Sequence, residues 1–331
     1  MLLVGDIGGT HARLSLIRPN GRAVLKKEFA SRMYPSLEAV LREFLDSATP
    51  KPRLSAAAFG VAGPVVGGRV VATNLPWVID SRIIGRKLGI KRVTLLNDLV
   101  ALSLGALRVP RAKLRFLSGS AVSPRKRGAN VAVIAAGTGL GEAILVWDGH
   151  GFIPCATEGG HADFAARDDL EVDLLQFLRN RFARVSYERI LSGSGLGNVY
   201  DFFRQAKGIE ESTANTEAIA ASADRNATIS TLGLSGASEP ATRALQLFAT
   251  IYGAEAGNLA LKSLAVGGVY VCGNIASRMI PVLSGGAFQR AFLEKGRFGA
   301  LMEKIPVAVV LDSDVGLAGA TSAALASVRE R

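Results

Sequence analysis

The first chemically suggestive stretch is Gly8-Gly9-Thr10, which follows Asp6 and separates two apolar runs. Consecutive glycines at such a corner can turn several backbone N–H groups toward an anion. Asp6 would repel a phosphate there unless a cation came with it, and Mg²⁺ held by one or two carboxylates plus phosphate oxygens is the usual solution. The stretch predicts a phosphate loop beside a magnesium ion, and an ordinary hairpin turn is the alternative.

A second stretch repeats this plan. Residues 130–148 contain an apolar run, Gly137-Thr138-Gly139 and another apolar run. Neither copy has the spacing or the following helix of a dinucleotide fingerprint or a P-loop. Two strand–turn–strand hairpins of this kind suggest two related lobes that grip one polyphosphate between them.

A candidate general base lies at Asp98. Asn97-Asp98 ends a predicted strand over 93–96 and precedes a predicted helix over 99–107. Proteins of the α/β class place ligands at the carboxyl ends of strands, and a helix amino terminus favours a carboxylate. A simple helix N-cap is the alternative for Asp98.

Four further polar positions could contact a substrate. Glu158 and His161 flank two glycines, so both could face one point and grip adjacent hydroxyls, although a lone histidine is more often structural. Glu188 is expected in the first turn of a helix, where it could simply complement the dipole. Asn74, in the loop 73–77, offers donors and an acceptor but is also a typical turn residue.

Alternating strand and helix patterns must position these residues. We expect a helix on the face formed by 37–45, helices over 81–88 and 169–182, a long helix over 239–265, and a terminal helix over 315–328. Strands are expected over 54–61, near 70–71, and over 269–272 and 305–311. Residues 110–129 are interpreted as a connection and lobe boundary, and 207–234 give no clear pattern.

The composition describes a packed protein large enough for two domains. The chain has 331 residues, of which 49% are hydrophobic and 20% charged. No apolar run reaches the length of a membrane span, and a strand that starts at residue 2 leaves no room for a signal peptide, so we expect a cytoplasmic protein with no membrane partner. Cys155 and Cys272 are expected to be buried free thiols.

The net charge of +11 raises the question of nucleic-acid binding. The basic residues are scattered, with local clusters only at 111–115 and 125–127. A solvated surface that attracts anionic substrates is therefore favoured, and no nucleic-acid partner is expected.

Several motifs follow in order along the chain: GDIGGTHARL, TNLPW, LLNDLVA, AGTGLG, EGGHADF, SYERILSGSGL, FLEKGRF and VGLAGA. Together they resemble the bacterial glucokinase family, from Val4 to Gly319. This resemblance implies an α/β, two-domain actin-like ATPase (ribonuclease H-like) fold, the hexokinase-type sugar-kinase fold, with an interdomain cleft. The small lobe is expected over 1–108 plus 313–331, and the large lobe over 109–312.

The resemblance also implies roles for particular residues. Asp98 is expected to act as the general base. The implied sugar contacts are Asn74, Asn97, Asp98, Glu158, His161 and Glu188. The implied nucleotide contacts are Gly5, Asp6, Gly8, Gly9, Thr10, His11, Gly137, Thr138, Gly139 and Gly273, and Asp6 would face Mg²⁺ directly or through water.

The implied activity is transfer of the ATP γ-phosphate to the 6-hydroxyl of glucose. His11, Ala135-Ala136 and Asn274 depart from the family pattern near the nucleotide, which leaves inorganic polyphosphate open as a donor. A kinase of another hexose, such as mannose, is one alternative. A non-catalytic sugar sensor and an actin-like filament or chaperone are alternatives of other classes. The family further suggests a homodimer.

Overall fold

A computed structural model of the protein describes residues 1–73, 75–118 and 128–329. It divides into two compact units. Unit 1 comprises Met1–Pro110, Pro154–Ala156 and the residues from Asp312 onward, and unit 2 comprises Arg111–Ile153 and Thr157–Leu311, each within the described residues. The lobe boundaries expected from the sequence stay a prediction.

The strands alternate with helices along much of the chain. The strands are β1 Leu2–Ile7, β2 His11–Ile17, β3 Ala23–Ala30, β4 Ala56–Val61, β5 Val65–Val66, β6 Arg69–Val71, β7 Val78–Asp80, β8 Val93–Asn97, β9 Leu114–Ser118, β10 Val131–Ala136, β11 Leu140–Trp147, β12 Phe152–Ala156, β13 Gly268–Cys272 and β14 Val307–Val310. The α-helices are α1 Leu37–Asp46, α2 Ser81–Leu88, α3 Asp98–Ala106, α4 Asp169–Arg179, α5 Gly193–Gln205, α6 Thr213–Ala221, α7 Arg225–Ser235, α8 Glu239–Ser263, α9 Asn274–Arg278, α10 Ile280–Leu283, α11 Ala287–Leu293, α12 Gly299–Met302 and α13 Val315–Arg329. Single 3₁₀ turns cover Ser31–Met33, Arg111–Lys113, Gly159–His161, Tyr187–Arg189 and Gly296–Phe298.

Unit 1 is built on a five-stranded sheet in the order β3-β2-β1-β4-β8. β1 pairs antiparallel with β2 and parallel with β4, which pairs parallel with β8. Both faces of the central strands are covered, so β1 and β4 are continuous apolar runs rather than alternating ones. One face packs against apolar residues of α1, and the other against Leu317, Ala320 and Ala324 of α13.

Helices α3 and α13 approach each other closely through glycines. A Cβ at Gly105 of α3 would overlap the Val315 carbonyl oxygen, and one at Gly319 of α13 would overlap the carbonyl oxygen of Ala101. Gly60 of β4 lies under the same helix, since a Cβ there would come within 2.7 Å of the Ala101 Cβ. The first turn of α3, which carries Asp98, is therefore held by backbone-to-backbone packing.

Unit 2 is built on a six-stranded sheet in the order β12-β11-β10-β13-β14-β9. β10 and β11 form the second predicted hairpin, and β10, β13 and β14 run parallel. The long helix α8 is buried along most of its length, and Phe248 and Tyr252 lie fully inside the core.

Some segments differ from the sequence prediction. The expected connection over 110–129 is wrong at 114–118, where β9 forms an edge strand antiparallel to β14. Exposed Arg115 suits an edge strand, and the basic 3₁₀ turn directly before it hides the strand pattern. Residues 119–127 lie outside the described residues. Residues 207–234, which show no clear sequence pattern, contain α6 and α7. The sequence patterns also do not predict β3 or β12.

Two local expectations are corrected. The helix expected to carry Glu188 in its first turn begins instead at Gly193, because Tyr187–Arg189 forms a separate 3₁₀ turn. Cys272 is buried as expected, whereas Cys155 is exposed because it lies on the edge strand β12. In the described part of the chain, the helices are too short or too polar to cross a membrane.

The helix contact generates a stability prediction. Gly105→Ala should lower the free energy of unfolding by roughly 1–3 kcal/mol, because the new methyl group must push α13 away. Gly299→Ala is the matched control, since the nearest atom to a Cβ there is the Leu293 carbonyl oxygen at 3.7 Å. Chemical denaturation of both variants measures the difference, and equal stabilities would contradict the packing argument.

Candidate active site

The predicted phosphate turn is a hairpin between β1 and β2. The Gly8 N–H donates to the His11 carbonyl over 2.9 Å and closes the turn. Buried Ser31 fixes its other side, because its N–H donates to the Thr10 carbonyl and its hydroxyl to the Gly8 carbonyl. Two backbone carbonyls of the turn therefore point toward Ser31, and the hairpin geometry is set by hydrogen bonds within unit 1.

Asp6, at the end of β1, lies opposite Arg13 in the register of this hairpin. Its Oδ2 is 3.8 Å from an Arg13 guanidinium nitrogen, and Arg13 also donates to Glu28 Oε2 and to the Ser313 carbonyl. Burial raises the pKa of Asp6, while Arg13 acts in the opposite direction. A Cβ at Gly316, in the first turn of α13, would come within 2.8 Å of the Asp6 carboxylate. The carboxylate therefore lies against a helix amino terminus, where the backbone favours negative charge.

The flanking residues of the turn differ in their surroundings. Gly5 lies inside β1, where a Cβ would come within 2.7 Å of Phe59 and 2.8 Å of Leu14. Packing alone therefore requires glycine there, and its predicted nucleotide contact stays a prediction. His11 is exposed, with Nε2 3.7 Å from Glu28 Oε1.

Asn97 and Asp98 lie at the junction of β8 and α3. The Asn97 Oδ1 accepts hydrogen bonds from the N–H groups of Leu99 and Val100, over 2.9 and 3.3 Å, and its Nδ2 donates to the Gly63 carbonyl over 3.2 Å. Asn97 is therefore the helix cap, and the alternative that placed Asp98 at the cap is wrong. Asp98 is the first residue of the helix and is half-buried, so its carboxylate also benefits from the helix amino terminus.

The second predicted phosphate turn lies between β10 and β11 in unit 2. The Gly137 N–H donates to the Gly139 carbonyl, and the Gly193 N–H, at the start of α5, donates to the Gly137 carbonyl. Gly273 follows β13 with a φ of +93° and packs within reach of Ala136, where a Cβ would come within 2.5 Å of its carbonyl oxygen. Both demands favour glycine at this position.

The predicted sugar contacts Glu158, His161 and Glu188 come together in unit 2. His161 Nε2 is 4.0 Å from Glu158 Oε2, and its Nδ1 is 3.9 Å from Glu188 Oε1. The His161 side chain is 54% exposed and that of Glu188 is 29% exposed, so both can reach a ligand. An open cavity of about 380 Å³ adjoins His161 and Glu188, with Arg184 and Arg189 also in its wall.

Strand β11 positions all three of these residues. The Leu140 N–H donates to Glu188 Oε2 over 3.0 Å, and Gly139 leaves room for that carboxylate, which a Cβ would overlap. Gly160 lies against the Leu140 carbonyl. The Thr157 hydroxyl donates to the Glu142 carbonyl over 2.9 Å and accepts from the Gly159 N–H. The spacing of two glycines between Glu158 and His161 thus lets the turn rest on a strand backbone.

Some predicted residues are not brought together here. Asn74 lies outside the described residues. Unit 1 brings Asn97 beside Asp98 and Asp6 beside the first glycine turn, whereas unit 2 carries the second glycine turn, Gly273 and the sugar-contact cluster.

The sequence analysis missed three positions that shape the site. Arg13 could have been found from the predicted hairpin, since a turn centred on 9 and 10 pairs residues 6 and 13. No local sequence pattern indicates a role in the site for Gly316 or Glu142. Their partners, Asp6 and Gly159, lie far away in the sequence or across a strand.

Comparisons with known proteins agree with this arrangement. A family model described as Glucokinase matches residues 3–327. The chain belongs to the glucokinase family. Among its relatives, glucokinase-family proteins from Nostoc sp. and Synechocystis sp., both named glucokinase, are 36% and 37% identical over 336 and 350 residues, and the matches cover 97% and 98% of both chains.

Solved structures extend the comparison to the fold. A glucokinase from an Antarctic psychrotroph matches with a TM-score of 0.85 and 30% identity, covering 98% of each chain. A ROK-family glucokinase from Streptomyces griseus, in complex with glucose and AMPPNP, matches with a TM-score of 0.65 and 21% identity over 98% of each chain, a likeness of fold. The expected family and the expected α/β, two-domain actin-like fold are confirmed.

The cap geometry generates a prediction for Asn97. Asn97→Ala should lower the free energy of unfolding by about 1 kcal/mol, because the Val100 N–H loses its side-chain acceptor and the Leu99 N–H keeps only Asp98 Oδ1. Asn97→Ser restores a capping oxygen and should recover most of the loss. Urea denaturation compares the three proteins, and a serine variant no more stable than the alanine variant would contradict the capping role.

Proposed function

We propose that this glucokinase-family protein transfers the γ-phosphate of ATP to the 6-hydroxyl of glucose, giving glucose 6-phosphate and ADP. The observation that carries the proposal is the convergence of Glu158 and Glu188 on the two ring nitrogens of His161, at 4.0 and 3.9 Å, on one exposed surface of unit 2. Two carboxylates and an imidazole supply acceptors and donors for adjacent sugar hydroxyls. The names of the relatives, and of a Balamuthia mandrillaris glucokinase structure with glucose, support the same substrate.

Asp98 is proposed as the general base. It takes the proton of the 6-hydroxyl as that oxygen attacks the γ-phosphorus; the new O–P bond forms while the bond from the γ-phosphorus to the β–γ bridging oxygen breaks, and ADP leaves with that electron pair. The Leu99 N–H donates to Asp98 Oδ1 over 2.9 Å and so fixes the direction of that carboxylate, while Asn97 caps the same helical turn. The sugar contacts already assigned to Asn97, Asp98 and Asn74 stay part of this proposal.

The two glycine turns are proposed to hold the phosphates of ATP. The first comprises Gly8 to Thr10, with His11 beside it, and the second Gly137 to Gly139, while Gly273 serves the adenosine side. Phosphoryl transfer depends mainly on alignment and charge compensation. Since holding two reactants in line can contribute about 7–11 kcal/mol, these turns matter as much as the base.

Asp6 is proposed to face Mg²⁺, directly or through water. In the part of the chain that the structure describes, His, Cys, Asp and Glu form no cluster of three or more that could hold a metal alone. A single carboxylate at the phosphate turn fits Mg²⁺, which commonly binds through one or two carboxylates plus substrate phosphates. When bound, the ion would neutralise charge on the phosphates.

A purified-protein assay tests the proposal. Phosphoryl transfer is measured from Mg-ATP and from polyphosphate to glucose, mannose, fructose and N-acetylglucosamine. Transfer from ATP to glucose supports the proposal, whereas preference for mannose or for polyphosphate replaces its substrate or donor. Glucose binding without transfer to any sugar would overturn the enzyme assignment in favour of a sensor.

Oligomeric state and location complete the proposal. The family resemblance supports a homodimer, which light scattering of the purified chain would detect. The cytoplasmic location expected from the sequence stays a prediction, to be checked by fractionation of the source cells.

The proposed base generates a kinetic prediction. Asp98→Asn should lower kcat by about 10²–10⁴-fold, because the amide cannot accept the hydroxyl proton, while the dissociation constant for glucose changes little. Stopped assays give kcat, and calorimetric titration gives glucose binding. Equal losses in kcat and in binding would show that Asp98 acts in binding and not as the base.

The contact between Gly139 and Glu188 generates a second kinetic prediction. Gly139→Ala should raise the KM for glucose roughly tenfold or more, the equivalent of losing one hydrogen bond to a charged group, since the methyl group displaces the Glu188 carboxylate. Gly137→Ala is the matched control in the same turn, because a Cβ there meets no atom within 4 Å. Steady-state kinetics of both variants test the assignment of Glu188, which equal KM values would contradict.

A further inference from the structure

Two buried carboxyl groups lie beneath the sugar-contact cluster of unit 2. Glu142 on β11 is 2% exposed, and Glu255 on α8 is 0% exposed. The two carboxyl groups lie close enough in the interior to interact electrostatically. Among the described residues, Glu142 Oε1 is a buried side-chain oxygen that has no hydrogen-bond donor. Such an oxygen is costly unless a proton is placed between the two groups.

Glu142 supports the turn that carries Glu158 and His161. Its Oε2 lies so close to Gly159 that a Cβ there would overlap the carboxyl group. The backbone carbonyl of Glu142 accepts a hydrogen bond from the Thr157 hydroxyl, which in turn accepts from the Gly159 N–H. The side chain and backbone of Glu142 thus contact the residues on either side of Glu158.

Glu255 is linked to the turn that carries Glu188. Asn258 Nδ2 donates to Glu255 Oε2 over 2.9 Å and to the Tyr187 hydroxyl over 3.2 Å. Tyr187 directly precedes Glu188 in the 3₁₀ turn Tyr187–Arg189. The carboxyl pair therefore joins the two segments that supply Glu158, His161 and Glu188.

We propose that Glu142 and Glu255 share one proton, and that this proton holds the two segments in the arrangement that binds the sugar. Both are positioning residues, since neither belongs to the exposed cluster. The inference rests on the proposed function, because it concerns the affinity of that same site for glucose. Loss of the proton would place two carboxylates against each other and push the turns apart.

The charged and titratable surroundings agree with this assignment. Burial, and then the neighbouring Glu255, raise the pKa of Glu142 to about 8, while Lys262 acts in the opposite direction. Lys262 Nζ is 3.5 Å from Glu255 Oε1, and its side chain is 58% exposed, so its charge is largely solvated. Tyr252 on α8 faces Glu142, while Tyr187 and Lys295 face Glu255. Lysine charge alone therefore does not replace the proton.

The pH dependence of glucose affinity tests the proposal. If only the protonated pair binds well, the KM for glucose of the unaltered protein should rise about tenfold between about pH 7 and about pH 9, while kcat changes much less. Glu142→Gln should abolish this rise, because the glutamine amide donates permanently to Glu255. Glu142→Ala removes the support for the turn and should raise KM at both pH values.

Unfolding provides a readout that needs no catalysis. Between about pH 4.5 and about pH 8 the folded chain binds more protons at Glu142 than the unfolded chain does, so the free energy of unfolding should fall through this window and then level off. Glu142→Gln should lack that component of the slope. Denaturant titrations across the window compare the two proteins.

Glu211→Gln is the matched control. Glu211 is another partly buried carboxylate of unit 2, hydrogen-bonded to Tyr200, Asn215 and Ser238, and none of these carries a predicted sugar contact. Glu211→Gln should keep the same ratio between the KM for glucose at about pH 9 and that at about pH 7 as the unaltered protein. A KM ratio that is flat in the unaltered protein, or that Glu142→Gln leaves unchanged, overturns the shared proton. Absence of glucose transfer in every protein overturns the proposed function instead, and the unfolding slope still decides whether the pair shares a proton.

Discussion

The hydrogen bond from the Leu140 N–H to Glu188 Oε2 is the contact on which the sugar-contact cluster depends. The same residue presents its carbonyl to Gly160, two residues beyond Glu158. One residue at the start of β11 therefore sets the positions of two turns that are far apart in the sequence. Because β11 is paired with β10 in the sheet, these turns inherit the rigidity of the core rather than that of a loop.

In unit 1, close approach of two helix backbones likewise holds the predicted site residues in place. Gly105 and Gly319 let α3 and α13 touch without side chains between them. Asp98 begins α3, and Gly316 near the start of α13 lies against the Asp6 carboxylate. Two helix amino termini are thereby fixed beside two carboxylates, and at Asp6 the helix dipole opposes the burial that raises the pKa of the carboxyl group.

The neighbours of each buried carboxyl group decide whether it favours the ionised or the protonated form. Asp6 keeps Arg13 nearby, so burial is opposed by an opposite charge. Glu142 and Glu255 would carry like charges if both were ionised, and burial therefore favours retention of a proton on Glu142. The first arrangement suits a carboxylate that faces phosphates and a cation, whereas the second suits a hydrogen bond that joins structural segments. Identical side chains thus acquire different properties because their neighbours differ.

The sequence by itself determined the family, the α/β fold and the positions of both glycine hairpins, because these depend on local patterns such as glycine corners and apolar runs. It also predicted a helix over 99–107 directly after Asp98, and left open whether Asp98 is a general base or the helix cap. Only the tertiary structure decided that Asn97 is the cap, that residues 114–118 form an edge strand, and that Glu188 lies on a 3₁₀ turn. The interaction between Glu142 and Glu255 could likewise not be predicted from the sequence, since 113 positions separate them in the chain. Long-range packing creates such contacts, and a local pattern carries no information about which distant backbone will meet it.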